Sequence, residues 1–150
     1  MNRMGMIVAT MWILLSGSSL GAWAEELAVI VNAKNPIGNL NPAEIRKYFL
    51  KEQQTWPNGE KVRSVDRNGS SAERRVFLEK VLKLTPDEME QYWISIRYQK
   101  GIAVPPKLHT DQEVVEYVGA YGGAIGYVNS TNLGGAQKSE IKVIGTIPMP

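Results

Sequence analysis

Apolar and polar positions alternate along the chain in two periods, one of strands and one of helices. Leu27 to Val31 is an unbroken apolar run, which predicts a strand buried on both faces. After a loop rich in Asn, Pro and Gly, Asn41 is placed to cap a helix, with Pro42 at its first position and Glu44 at its third. Ile45, Tyr48 and Phe49 give that helix one apolar stripe. Val62 and Val65 predict a short strand, Asp66 to Ser71 a tight polar turn, and Val76, Phe77, Val81 and Leu82 a helix beginning near Ala72. Thr85 with Glu88, and Thr110 with Glu113, repeat the capping pattern ahead of two further apolar stripes, Met89-Tyr92-Trp93-Ile96 and Val114-Val115-Val118. Ala124 to Asn129 and Ile141 to Ile147 read as buried strands, separated by a polar, Gly-rich loop, and residues 148–150 as a loose tail. Strands alternating with helices predict an α/β fold, a sheet with helices on its faces.

The start of the chain changes the domain count. Arg3, the apolar run Met4 to Leu15 and Ala22-Trp23-Ala24 have the order of a cleaved signal peptide, residues 1–24, leaving residues 25–150 as one exported domain. The run is short for a membrane span. The chain has no cysteine, so neither a disulfide nor a lipidated cysteine is expected. Export without disulfides suits a bacterial periplasm, with no membrane anchor after cleavage. The formal net charge of +2 at pH 7 demands no nucleic acid.

Candidate chemistry gathers at one place. A strand ending in Arg67-Asn68-Gly69-Ser70-Ser71 and opening a helix aims backbone N–H groups outward, where they and the helix dipole favour an anion. Ser70 and Ser71 add hydroxyl donors, and Arg67 a planar guanidinium, taken here as a surface charge. Arg74 and Arg75 in the first helical turn oppose the dipole unless negative charge is nearby. The same residues also fit a plain capped helix, with Ser70 and Glu73 as a capping box. Trp56, Tyr92 and Trp93 read as core, and His109, the one histidine, as structural or solvated. No HExxH, GxSxG or GxxxxGK[ST] motif and no Cys/His cluster occurs, so neither an enzyme, a cofactor nor a metal is expected.

In order along the chain, Leu27 to Asn129 resembles the phosphate-binding proteins of bacterial ABC transporters, which have the type 2 periplasmic binding protein fold. The likeness rests on Ala28–Pro36, the helix Leu40–Phe49, Trp56, the turn Arg67-Gly69-Ser70 with Phe77, and Gly123-Ala124-Ile125-Gly126-Tyr127-Val128. It implies a single lobe of that fold, a mixed sheet flanked by helices. It also implies phosphate or a similar oxyanion as ligand, held by Arg67, Gly69, Ser70 and Ser71. Two departures stand out. Only the second of the family's two lobes has a counterpart. The family's turn also carries an aspartate that accepts the phosphate proton, whereas here Asn68 leads directly to Gly69, with Asp66 two residues earlier. The implied function is an exported solute-binding protein for phosphate transport, with an ABC transporter permease or a second copy of itself as protein partner. The alternative is a cell-envelope interaction module that keeps the fold without the ligand.

Overall fold

The computed structural model describes residues 25–134 and 139–150, so the expected signal peptide lies outside the described residues. Strand β1 (Glu26–Asn32) is the centre of a four-stranded sheet and is antiparallel to both neighbours, β5 (Ala124–Asn129) and β6 (Ile141–Pro148). β2 (Arg63–Ser64) lies parallel to β5 at one edge, which makes the sheet mixed. The register pairs Leu27 with Asn129 and Val31 with Ile125, and β6 slips against β1 between Val29 and Ile30.

The apolar run of β1 is divided between two cores by the two-residue period of a strand. Leu27, Val29 and Val31 face one cluster, built from α1 (Pro42–Phe49), α2 (Ala72–Phe77) with its π-helical continuation Leu78–Leu82, and α3 (Pro86–Lys100). Ala28 and Ile30 face the other, with Val114, Val115 and Val118 of α4 (Asp111–Ala120). Helices on both faces explain why the run Leu27–Val31 holds no polar residue. Burying each Leu, Ile or Val side chain of the run contributes about 1.5–3 kcal/mol.

Local signals account for the helix starts. Asn41, Thr85 and Thr110 each accept from the backbone N–H three residues on, and Glu44, Glu88 and Glu113 complete the boxes. At α2 the cap is shifted from the sequence expectation. Ser71, not Ser70, accepts from the Arg74 N–H at 3.1 Å, so Glu73 sits one position too early to close a box. Trp56 closes its loop onto the sheet as expected, stacked on Tyr48 at 4.2 Å and donating to the Gly123 carbonyl at 2.9 Å. Trp93 is buried, and Tyr92 donates to the Leu50 carbonyl. The tail is less loose than expected, because Met149 donates its N–H to the Glu25 carbonyl and packs on the core.

The expected strand at Val62 to Val65 is two strands in two sheets. β2 belongs to the main sheet. One residue later the chain leaves it, and β3 (Asp66–Arg67) pairs in parallel with β4 (Lys107–Leu108). Val65 is the hinge, its N–H still bonded to the Ile125 carbonyl. Asp66 and Arg67 are therefore buried strand residues rather than part of an exposed turn.

Candidate functional site

β3 brings a carboxylate and a guanidinium inside the lobe, and each is tied down. Asp66 accepts through Oδ1 from the Arg67 N–H at 2.7 Å and the Tyr127 hydroxyl at 2.8 Å, and through Oδ2 from Arg74 Nε at 3.2 Å. All four residues are nine-tenths buried or more. A charge removed from water needs such partners. Burial first, and the Asp66 carboxylate second, push the Tyr127 phenol well above its ordinary range, so it stays protonated and donating. Both oxygens of Asp66 are thus engaged within the protein.

Arg67 points the other way along the same strand. Its Nη1 is bonded to Asp111 Oδ1 at the first position of α4, and its Nη2 reaches the His109 carbonyl at 3.4 Å. Its Nε is buried without a hydrogen-bond partner. The other oxygen of Asp111 accepts from the Asn129 N–H at 3.3 Å and from Asn132 Nδ2 at 2.7 Å. Asp111 therefore occupies a small oxyanion seat made by Arg67, one backbone N–H and one amide. Sequence reasoning missed it, since Asp111 is also an ordinary acidic residue in a first helical turn. The expectation of Arg67 as a surface charge is corrected, because its side chain is 5 % exposed.

The turn that follows is exposed at Asn68, Gly69 and Ser70. Asn68 organises it. Its Oδ1 accepts from the Gly69 N–H at 2.9 Å, its carbonyl from the Ser71 N–H at 3.3 Å, and its amide lies 3.1 Å from His109 Nδ1. Ser71 Oγ caps the Arg74 N–H, and the Ser71 carbonyl takes that of Arg75. The Ala72 and Glu73 N–H groups remain as the open donors of a helix start.

The four expected site residues fall within the five positions 67–71 but face two depressions. Gly69, Ser70 and Ser71 line one of about 110 Å³ with Arg74 and Arg75. Arg67 lines another, an open cleft of about 620 Å³, together with Glu73, Thr110, Asp111, Gln112 and Asn132. Two carboxylates beside one guanidinium leave that cleft without net positive charge. Among the described residues no group of three or more His, Asp or Glu could hold a metal, and no helix is long and apolar enough to cross a membrane.

No known family's sequence profile and no curated protein matches the chain. Solved structures do. The chain has the fold of phosphate-transport binding proteins. It is similar to a putative phosphate ABC transporter substrate-binding protein with bound phosphate from Clostridium perfringens, with a TM-score of 0.62 and 16% identity over 81% of this chain and 45% of that one. It is similar to an ABC-type phosphate transport receptor from Vibrio cholerae, with a TM-score of 0.60 and 19% identity over 81% and 46%. A possible phosphate binding protein from Planctomyces limnophilus gives 0.56 and 18% over 81% and 41%. The chain thus spans less than half the length of these proteins and corresponds to a single lobe, a mixed sheet flanked by helices.

Proposed function

We propose that the chain is an exported, single-lobe binding domain for phosphate or a similar oxyanion. The ligand sits at the turn Gly69–Ser71 where α2 opens, with Arg75 beside it. The observation that carries this reading is the turn itself: a Gly-Ser-Ser segment at a helix start, exposed at Gly69 and Ser70 and lined by Arg74 and Arg75, on a fold shared with a phosphate-bound structure. Ser71 Oγ is committed to its cap, which leaves Ser70 Oγ and the open N–H groups as donors. Its protein partner would be an ABC transporter permease or a second copy of itself, and its compartment the periplasm. The test is calorimetric titration of the purified protein with phosphate, and with sulfate and chloride as comparisons. Heat that saturates with phosphate and disappears in Ser70→Ala/Arg75→Ala supports the reading. Identical heats for all three anions defeat it.

A second reading, a cell-envelope interaction module without ligand, is favoured by one contact. Asp111 already bonds the guanidinium of Arg67, so an outside anion has to compete with an internal carboxylate for this buried cation.

A further inference from the structure

On the far side of Arg74 from the turn lies a cleft of about 220 Å³ between α3 and the segment leading into β4. Its walls are apolar, from Trp93, Ile94 and Val104, and its charged members are Arg74, Arg97 and Lys107 against Asp66 and Glu90. Both carboxylates are already engaged, Asp66 by Arg74 and Glu90 by Lys107 at 3.3 Å. Arg97 has no carboxylate within ion-pair distance among the described residues. Arg74 is itself buried and fixed through Asp66, Tyr127 and the Arg67 N–H, so one cation of the cleft is rigidly preset.

The apolar surface continues outward. Ile94 is 61% exposed, and Tyr98, one turn along α3, is 91% exposed. Residues four apart on a helix adjoin. Large side chains this bare, beside a concave site and a spare cation, mark a contact surface rather than scattered exposure. The cleft is smaller than the roughly 300–1,000 Å³ of small-molecule pockets, so it suits one anchoring side chain of a larger partner.

We infer that this face docks an acidic peptide segment of another protein, a large apolar side chain entering between Trp93, Ile94 and Val104 while an adjacent carboxylate pairs with Arg97. The charge decides among occupants. A second copy using the same face about a two-fold axis has no free acid to offer Arg97, since Asp66 and Glu90 are both already paired. An anionic membrane calls for a cluster of about 4–8 cations on a projecting surface, and this site has three in a concavity. The inference does not depend on the oxyanion turn, which opens on a different depression.

The test selects peptides from a random displayed library on the purified protein, then measures the enriched peptides by fluorescence anisotropy against variants. Arg97→Glu and Ile94→Ser change exposed side chains, so both keep the melting temperature of the parent. Lys34→Glu, which lies at another cleft, is the charge control. We expect enriched peptides to pair Asp or Glu with Phe, Leu or Trp. Their binding should weaken at least tenfold in Arg97→Glu and in Ile94→Ser, and stay unchanged in Lys34→Glu. No enrichment, peptides without acids, or equal binding to Arg97→Glu would overturn the inference. So would self-association, or binding to vesicles of phosphatidylcholine and phosphatidylglycerol, that is lost in the two variants while peptides fail to bind.

Discussion

The carboxylate of Asp111 is bonded to the buried guanidinium of Arg67 across 44 residues of sequence. The pair joins β3 to the start of α4, and Asn129 and Asn132 hold the second carboxylate oxygen. An internal carboxylate so placed competes with any anion for Arg67.

The competition gives a first prediction. Asp111→Asn removes one charge of a buried pair, which costs about 3–5 kcal/mol when the other charge stays behind. The ligand-free variant should therefore melt earlier than the parent. Phosphate should then raise its melting temperature by more than it raises the parent's, because a free guanidinium binds and stabilises by mass action. Scanning calorimetry at several phosphate concentrations measures both. Equal responses in parent and variant would show that Arg67 is structural alone.

Tyr127 supplies a prediction in pH. Its folded pKa lies well above the ordinary value of 10.0, through burial first and Asp66 second. Below about pH 10 the phenol is protonated in both folded and unfolded chains and contributes no pH dependence. As pH rises past that value the unfolded chain releases the proton and the folded chain does not, so stability falls with rising pH. Tyr127→Phe should flatten this alkaline limb. At neutral pH it should cost about 1.5–3 kcal/mol, the range for a hydrogen bond to a charged group. Urea unfolding at pH 7 and pH 11 tests both parts, and an unchanged alkaline slope would place the origin of that slope elsewhere.

The close approach at Gly126 yields a third. A Cβ there would stand 2.6 Å from Val114 Cγ1 and 3.0 Å from Val65 Cγ2. Gly126→Ala should destabilise by about 1–3 kcal/mol through overpacking. Gly123→Ala should be worse, because the obstacle is the Lys61 backbone carbonyl, which cannot swing aside. Val114→Ala should partly rescue Gly126→Ala and leave Gly123→Ala unrelieved, as read from denaturation midpoints.

What the residues announce and what they conceal divides by range. Asn41, Thr85 and Thr110 cap their helices with partners three residues away, so the signal is complete within one turn. The run Leu27–Val31 declares its double burial by composition alone. The switch at Val65 carries no such mark. Whether Asp66 continues β2 or starts β3 is decided by Lys107 and Leu108, some forty residues on, and two-residue strands lack a period to read. The candidate site is half legible for the same reason. Gly69 to Ser71 is visible as a turn before a helix, whereas the burial of Arg67 depends on Asp111 and on a carbonyl at His109.

Affinity and assembly give the last prediction. The turn is exposed at Gly69 and Ser70, so an anion seated there keeps part of its hydration. Each hydrogen bond it gains replaces one to water, and the net gain per bond is about 0.5–1.5 kcal/mol or somewhat more for charged partners. Immobilising the ligand offsets much of that. One such face acting alone should bind phosphate on the order of millimolar, about −4 kcal/mol. Tighter binding needs a second surface to complete the anion's shell. A second copy can supply it, with two Gly69–Ser71 turns facing one phosphate across a two-fold axis. The exposed Arg75 side chains would repel each other in the empty pair and be bridged in the filled one, so phosphate should promote dimerisation. Sedimentation velocity with and without phosphate, run beside calorimetry, separates the cases. A monomer throughout with millimolar heat fits the isolated lobe, and a phosphate-dependent dimer with stronger binding fits the shared site. Micromolar binding by a strict monomer would contradict the hydration argument, and a dimer indifferent to phosphate would favour the interaction module.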